Sequence, residues 1–244
     1  MTVVIPAKSE AANLEVMLPR LPLDLEVIVV EAGAEVETAE VVARQRPDAT
    51  LITQTRRGKG NALACGFAAA SGDIIVMFDA DGSADPAEIP RFVDALIDGA
   101  DFAKGSRFLP GGGSEDITLL RRAGNAGLNL TANLAFGTRF SDLCYGYNAF
   151  WRDMLPVLDL PEPGQTRSDE MLWGDGFEIE TIINCRMAAA DASIREVPSF
   201  ERHRLFGASH LRTWADGTRV LRTLASERSR AMTSRDRAMA LTSV

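Results

Sequence analysis

Asp73-Ile74-Ile75-Val76-Met77-Phe78-Asp79-Ala80-Asp81-Gly82 decides how this chain is read. The unbroken apolar run 74–78 predicts a strand covered on both faces, as in a parallel sheet flanked by helices. Two aspartates and a glycine follow at once. Ligands of open α/β sheets bind beyond the carboxyl ends of the strands, so the pair stands where chemistry is expected. Side chains two apart in extended backbone point the same way. Such oxygen ligands suit Mg2+ or Mn2+ bridging to substrate phosphates. Taken alone, the same residues also read as an ordinary turn, since Asp and Gly favour turns.

Outward from that strand, helices and strands alternate. Strands are expected at 3–6, 25–30 and 49–53, and helices at 10–18, 38–46 and 59–70. Downstream, helices are expected at 86–97, 119–136 and 177–190, and strands at 102–105, within 140–150 and at 194–197. The segment 107–115 reads as a glycine-rich loop, and 160–168, with Pro161, Pro163 and Gly164, as a surface loop. This order predicts one α/β domain with a mostly parallel sheet over 1–225. The polar, mixed-charge segment 226–244 is expected to be a frayed helix or disordered.

The 244 residues suffice for a sizeable core. A net charge of -8 argues against a nucleic-acid partner, so a bound anion needs a local site. Cys65, Cys144 and Cys185 are widely spaced and form no Cys-x-x-Cys pair, which suggests neither zinc nor a disulfide framework and fits a reducing cytoplasm. The opening residues read as a strand and not a signal peptide, and no run of about 18 apolar residues predicts a membrane span.

Local chemistry concentrates in three further places. Lys59, between Gly58 and Gly60, heads a helix, and helix N-termini favour anions. Arg202, His203, Arg204, His210 and Arg212 form a basic stretch that carries both histidines of an acidic chain. Guanidinium groups there match phosphate geometry, and His203 or His210 is a candidate to complete a metal shell. The third place is 173–180. A hydroxyl acceptor needs a carboxylate to take its proton, whereas a phosphate acceptor needs none. Asp175 or Glu178 is the favoured base: Asp175 stands on the loop, where a side chain can reach a cleft, and Glu178 and Glu180 cannot share one helical face. The competing reading has Asp175 capping the helix and Glu178 complementing its dipole. Met171, Trp173 and 145–147 suit either a substrate wall or core. The basic stretch 219–230 suits an anionic lipid surface.

Six runs occur in order: Val3-Val4-Ile5-Pro6-Ala7-Lys8-Ser9-Glu10; Arg57-Gly58-Lys59-Gly60-Asn61-Ala62-Leu63; Asp79-Ala80-Asp81; Gly105-Ser106-Arg107-Phe108; Asp142-Leu143-Cys144-Tyr145-Gly146-Tyr147; and Glu196-Val197-Pro198 with Arg202 and Gly207-Ala208-Ser209. Together they resemble the family-2 glycosyltransferases of GT-A fold, in the dolichol-phosphate-mannose-synthase-like branch. The resemblance implies a single Rossmann-like nucleotide-sugar-binding domain with a mixed sheet. It also implies inverting transfer from a nucleotide diphosphate sugar, with Asp79 and Asp81 on Mg2+ or Mn2+. Pro6, Ala7 and Glu10 would hold the nucleoside, Lys59 the base, ribose or diphosphate, and Arg107, Arg202 and His203 phosphates. The family's usual Val-Asp-Asp-Gly-Ser is here Val30-Glu31-Ala32-Gly33-Ala34. Glu31 therefore stands for the usual acid, and the donor stays open between a UDP- and a GDP-sugar. The acceptor stays open between a polyprenyl phosphate and a soluble small molecule, as do peripheral membrane contact and a homodimer. The alternative is a nucleotide-binding or nucleotidyltransferase-like protein without sugar transfer.

Overall fold

Alternation within the first two strands sets the layers. In β1 (Thr2–Ala7) and β2 (Glu26–Glu31), Val3, Ile5, Val27 and Val29 face one side, and Val4, Ile28 and Val30 the other. All are buried. The computed structural model describes residues 1–164, 167–207 and 213–242. β3 (Thr50–Thr53), β4 (Ile74–Met77), β5 (Phe102–Ser106), β7 (Asn148–Trp151) and β8 (Ile194–Pro198) complete a seven-stranded sheet of order β3-β2-β1-β4-β7-β5-β8. Only β7 runs antiparallel, against β4 and β5. The carboxyl ends of β1, β2, β3, β4, β5 and β8 thus share one edge, and β7 enters there from the turn 145–147. β6 (Gly113–Ser114) and β9 (Phe200–Glu201) pair separately.

Helices α1 (Ala11–Met17), α2 (Val36–Gln45) and α4 (Ile89–Ile97) cover one face through Leu14, Met17, Val41, Val42, Phe92 and Leu96. Helices α3 (Lys59–Ala69), α6 (Leu155–Leu158) and α7 (Ile179–Ala189) cover the other through Leu63, Phe67, Leu158, Ile183 and Met187. Each such side chain stabilises the fold by about 1.5–3 kcal/mol relative to exposure. The expected mixed, mostly parallel sheet is present. The expected 140–150 strand is shorter, because 140–147 is loop whose backbone is held by asparagine side chains: Asn133 donates to Phe140 O, and Asn184 to Leu143 O.

Helices α5 (Leu119–Phe136) and α8 (Thr213–Thr242) pack on α7 around Ala132, Phe140, Leu143, Cys185 and Leu224. The boundary expected at 226 falls inside continuous helix α8, beside its polar anchor. Glu227 is buried and takes Arg186 in two bonds, Nε to Oε2 at 2.9 Å and Nη2 to Oε1 at 3.0 Å. This buried ion pair ties α8 to α7 at Glu227. Burial raises the Glu227 pKa, but the bonds from Arg186 and Trp173 outweigh it and leave the carboxyl below its ordinary 4.5. A depressed folded pKa contributes stability that is present above the unfolded value and is lost as pH falls through the folded one. The stability gap between wild type and Glu227→Gln is therefore expected to narrow as pH falls below about 4.5, the ordinary value. Urea denaturation between pH 7 and 3 measures it, and a gap constant over that range would contradict the assignment. Among the described residues, no helix is long and apolar enough to cross a membrane.

Candidate active site

Just past β4, Asp79 and Asp81 lie partly exposed at the carboxyl edge. The Lys59 ammonium sits 2.6 Å from Asp79 Oδ1 and 2.6 Å from Glu180 Oε1. Lys59 opens α3 and Glu180 lies in the first turn of α7, so two helices of one layer deliver a cation and a carboxylate to the end of β4. Gly146 faces them from the turn before β7. A Cβ there would stand 3.2 Å from Asp79 Oδ2 and 3.4 Å from both Glu180 Oε1 and Lys59 Nζ. Burial works against the Lys59 ammonium, yet the two carboxylates outweigh it and hold the group well above the ordinary lysine range.

Asp81 accepts the Ser83 N–H on Oδ1 at 3.0 Å, an Asx turn that aims the carboxylate. The donors Asp79 and Asp81 are all oxygen. Mg2+ and Mn2+ fit such a pair, because these ions take one or two carboxylates and complete their shell with water and substrate phosphates. Among the described residues no group of three His, Cys, Asp or Glu is placed to hold an ion. His203 therefore does not join the pair. It is exposed, with Nδ1 3.8 Å from Asp116 Oδ1, and its N–H donates to Glu115. His210 lies outside the described residues.

The two favoured bases are placed differently from expectation. Asp175 does not reach the cleft. It is 1% exposed, and both oxygens take Arg56: Nε to Oδ2 at 2.7 Å and Nη2 to Oδ1 at 3.0 Å. Glu178 is also buried, its Oε1 accepting the Gly174 and Gly176 N–H groups at 3.2 Å each. The carboxylate beside Asp79 is Glu180. Glu178 turns into its own loop, and Glu180 shares the Lys59 ammonium with Asp79. The head of α3 is occupied too: Asp175 O accepts Gly60 N–H at 2.7 Å and Asn61 N–H at 3.2 Å. A Cβ on Gly60 would lie 1.8 Å from Gly174 O, and one on Gly58 2.0 Å from Asp175 O. The glycines on either side of Lys59 thus admit the 174–176 loop rather than a bound anion.

Pro6 and Ala7 end β1 beside Glu31, at the same edge. Glu31 is 2% exposed and accepts Gly33 N–H on Oε1 at 3.1 Å. Arg167 donates to Ala32 O at 3.1 Å, across the mouth of β2. Glu10 is paired with Arg204 at 2.6 Å and takes a bond from Asn13, so its oxygens are engaged by protein. The basic stretch crosses the site: Arg202 N–H donates to Ser83 O at 2.8 Å and Leu205 N–H to Asp81 O at 3.1 Å. Arg202 itself is exposed, 3.5 Å from Asp85. Arg107, expected on phosphate, is spent internally. It binds Asp142 through Nε at 2.7 Å and Nη2 at 3.0 Å, and Glu201 through Nη1 at 2.9 Å. Burial lowers its pKa, but these carboxylates reverse that and keep the guanidinium charged. Tyr145 and Tyr147 are core, with Tyr147 stacked on Phe92 at 4.3 Å, whereas Met171 and Trp173 are exposed.

Comparison with known proteins agrees with this geometry. The description "Glycosyl transferase family 2" matches residues 2–158. The chain is 31% identical over 169 residues to the polyprenol monophosphomannose synthase of Mycolicibacterium smegmatis, covering 65% of this chain and 64% of that one. It is 28% identical over 218 residues to the undecaprenyl-phosphate mannosyltransferase of Micrococcus luteus, covering 85% and 86%. Against the first curated relatives it matches, the chain spans between 40% and 64% of their length. Its fold is shared with the glucosyl-3-phosphoglycerate synthase of Mycobacterium tuberculosis, crystallised with Mn2+, UDP-glucose and phosphoglyceric acid. That likeness has a TM-score of 0.68 at 23% identity and covers 93% of this chain and 79% of that one. With a GT-A sheet carrying Asp79 and Asp81 at its carboxyl edge and the family description matching from β1 to α6, the chain belongs to glycosyl transferase family 2.

Proposed function

We propose that the chain transfers a hexosyl group, with inversion, from a UDP- or GDP-sugar to a phosphate-bearing or hydroxyl acceptor, aided by Mg2+ or Mn2+ on Asp79 and Asp81. The observation that carries this reading is the cluster Lys59–Asp79–Glu180 beneath the bare backbone of Gly146. A bound divalent ion supplies charge neutralisation for the leaving diphosphate. Lys59, held cationic by its two carboxylates, adds fixed positive charge beside that group. In the transfer, the bond from the anomeric carbon to the diphosphate oxygen breaks as the acceptor oxygen bonds the opposite face. A phosphate acceptor is already an anion. For a hydroxyl acceptor, Glu180 is the carboxylate placed to take the proton. Asp175 is set aside for that role because Arg56 occupies it.

The relatives supply the substrate classes. Two are named for polyprenol and undecaprenyl phosphate, and the solved neighbour was crystallised with a UDP-sugar and a phosphate-bearing acid. A thermal-shift panel of UDP- and GDP-sugars with and without Mn2+ tests the reading. One nucleotide sugar is expected to stabilise the protein by about 2.7 kcal/mol at 100 times its Kd, which for a chain of this size is roughly 5–10 °C. The shift should depend on Mn2+. A panel with no shift would sink the donor assignment. A nucleotide shift without turnover on either acceptor class would favour a nucleotide-binding protein.

A further inference from the structure

One ammonium spans two carboxylates at the end of β4, and the two are not equivalent. Lys59 Nζ lies 2.6 Å from Asp79 Oδ1 and 2.6 Å from Glu180 Oε1. The Asp79 side chain is 38% exposed, whereas those of Lys59 and Glu180 are 16% and 12% exposed. Asp79 therefore meets the cleft, and Glu180 stands behind the ammonium. The other Asp79 oxygen, Oδ2, faces the backbone of Gly146, where a Cβ would lie 3.2 Å away. Of the two aspartates after β4, Asp79 is thus the one that already carries the lysine.

The surroundings decide which of these contacts can change. Lys59 opens α3, and its backbone is anchored because the next two N–H groups, those of Gly60 and Asn61, donate to Asp175 O. Its flexible four-carbon stem carries three donors, so the ammonium can turn without the helix. Glu180 belongs to the first turn of α7. A divalent ion shared by Asp79 and Asp81 puts two further positive charges close to the ammonium, and at short range in a partly buried site like charges repel strongly. The second carboxylate relieves that repulsion: released from Asp79, the ammonium keeps Glu180 and stays beside the cleft.

We propose that Lys59 competes with a divalent cation for Asp79, and that Glu180 sets the balance by holding the ammonium when Asp79 is taken. Lys59 and Glu180 thereby tune the affinity for the ion without ligating it. The inference rests on the reading that Asp79 and Asp81 take Mg2+ or Mn2+. The retained Lys59–Glu180 contact also keeps positive charge next to the leaving diphosphate.

Free Mn2+ measured by electron paramagnetic resonance gives the affinity without turnover, in wild type, Lys59→Met, Glu180→Gln and the double variant. Lys59→Met is expected to bind Mn2+ roughly tenfold or more tightly than wild type. Glu180→Gln is expected to bind it more weakly, because the ammonium then rests on Asp79 alone. In the Lys59→Met background, Glu180→Gln is expected to change binding by less than about twofold, since it acts through the lysine. Binding by Lys59→Met no tighter than wild type overturns the proposal. So does a Glu180→Gln effect of equal size in both backgrounds, which reports only the field of its charge. Lys59→Gln, checked by its melting curve, takes the place of Lys59→Met if that variant does not fold. Asp81→Ala and a second titration with UDP or GDP test the underlying reading. Absence of Mn2+ uptake by all of these proteins in both conditions, or uptake unchanged by Asp81→Ala, refutes the metal assignment and the competition with it. Uptake that depends on Asp81 but not on Lys59 refutes the competition alone.

Discussion

Asp81→Ala is expected to lower kcat/KM for sugar transfer by roughly 10^3-fold or more while leaving the melting temperature nearly unchanged. The rate estimate follows from the several kcal/mol that a Lewis-acid ion contributes to charge stabilisation, at about 1.4 kcal/mol per tenfold. The stability estimate follows from what the side chain touches. Asp81 is partly exposed and makes one turn bond, to the Ser83 N–H, worth about 1 kcal/mol. Asp79 is the less clean target, because removing it also strips a carboxylate from Lys59 and leaves Glu180 as that ammonium's only acidic partner in the cluster. Initial rates are to be compared across a Mn2+ titration together with melting curves. Transfer that persists in EDTA, or an Asp81→Ala rate within tenfold of wild type, would falsify the metal role.

Much of the fold was legible because periodicity reports burial. The runs in β1, β2 and β4 are apolar on both faces because helices cover both, and that pattern needs no knowledge of partners. The Asp79–Asp81 pair was legible for a related reason: its place after a central strand fixes its place at the edge. The site's other members were not legible, because they depend on which side chain a buried partner claims. Asp175 and Glu180 are both acids near a helix head, and nothing local separates them. Arg56, 119 positions upstream of Asp175, takes one, and Lys59 takes the other. Arg107 lay in a matching motif and was assigned to phosphate. Its commitment to Asp142 and Glu201 is a long-range fact that no local spacing carries. The anchor of α8 was hidden for the same reason, since composition shows a polar helix while Arg186, 41 positions from Glu227, supplies its buried partner.

Asp175→Ala is expected to cost about 3–5 kcal/mol of stability, the scale for removing one partner of a buried ion pair. Arg56 is itself buried, and among the described residues its guanidinium donates beyond Asp175 only to the carbonyls of Pro161 and Glu162. The carboxylate holds the guanidinium's pKa above its ordinary value, chiefly through the direct hydrogen bonds; without it a charge is left in a poorly hydrated site. The Leu172 N–H also loses its acceptor, Asp175 Oδ2, at 2.9 Å. The consequence extends to the site, because Asp175 O closes the head of α3 next to Lys59. A displaced 174–176 loop would move the cation and lower activity without Asp175 touching substrate. Stability and rate together separate this from a base. Urea denaturation should show the loss, and Arg56→Met with Asp175→Leu should recover much of it by replacing the pair with apolar groups. A general base predicts the opposite pattern. Stability would stay within about 1 kcal/mol, the rate on hydroxyl acceptors would fall by 10^2–10^4, and the double substitution would restore nothing. Glu180→Gln supplies the contrast, with a large rate loss expected on a hydroxyl acceptor and little change in the denaturation midpoint, because its carboxylate meets Lys59 at the cleft rather than an arginine in the core.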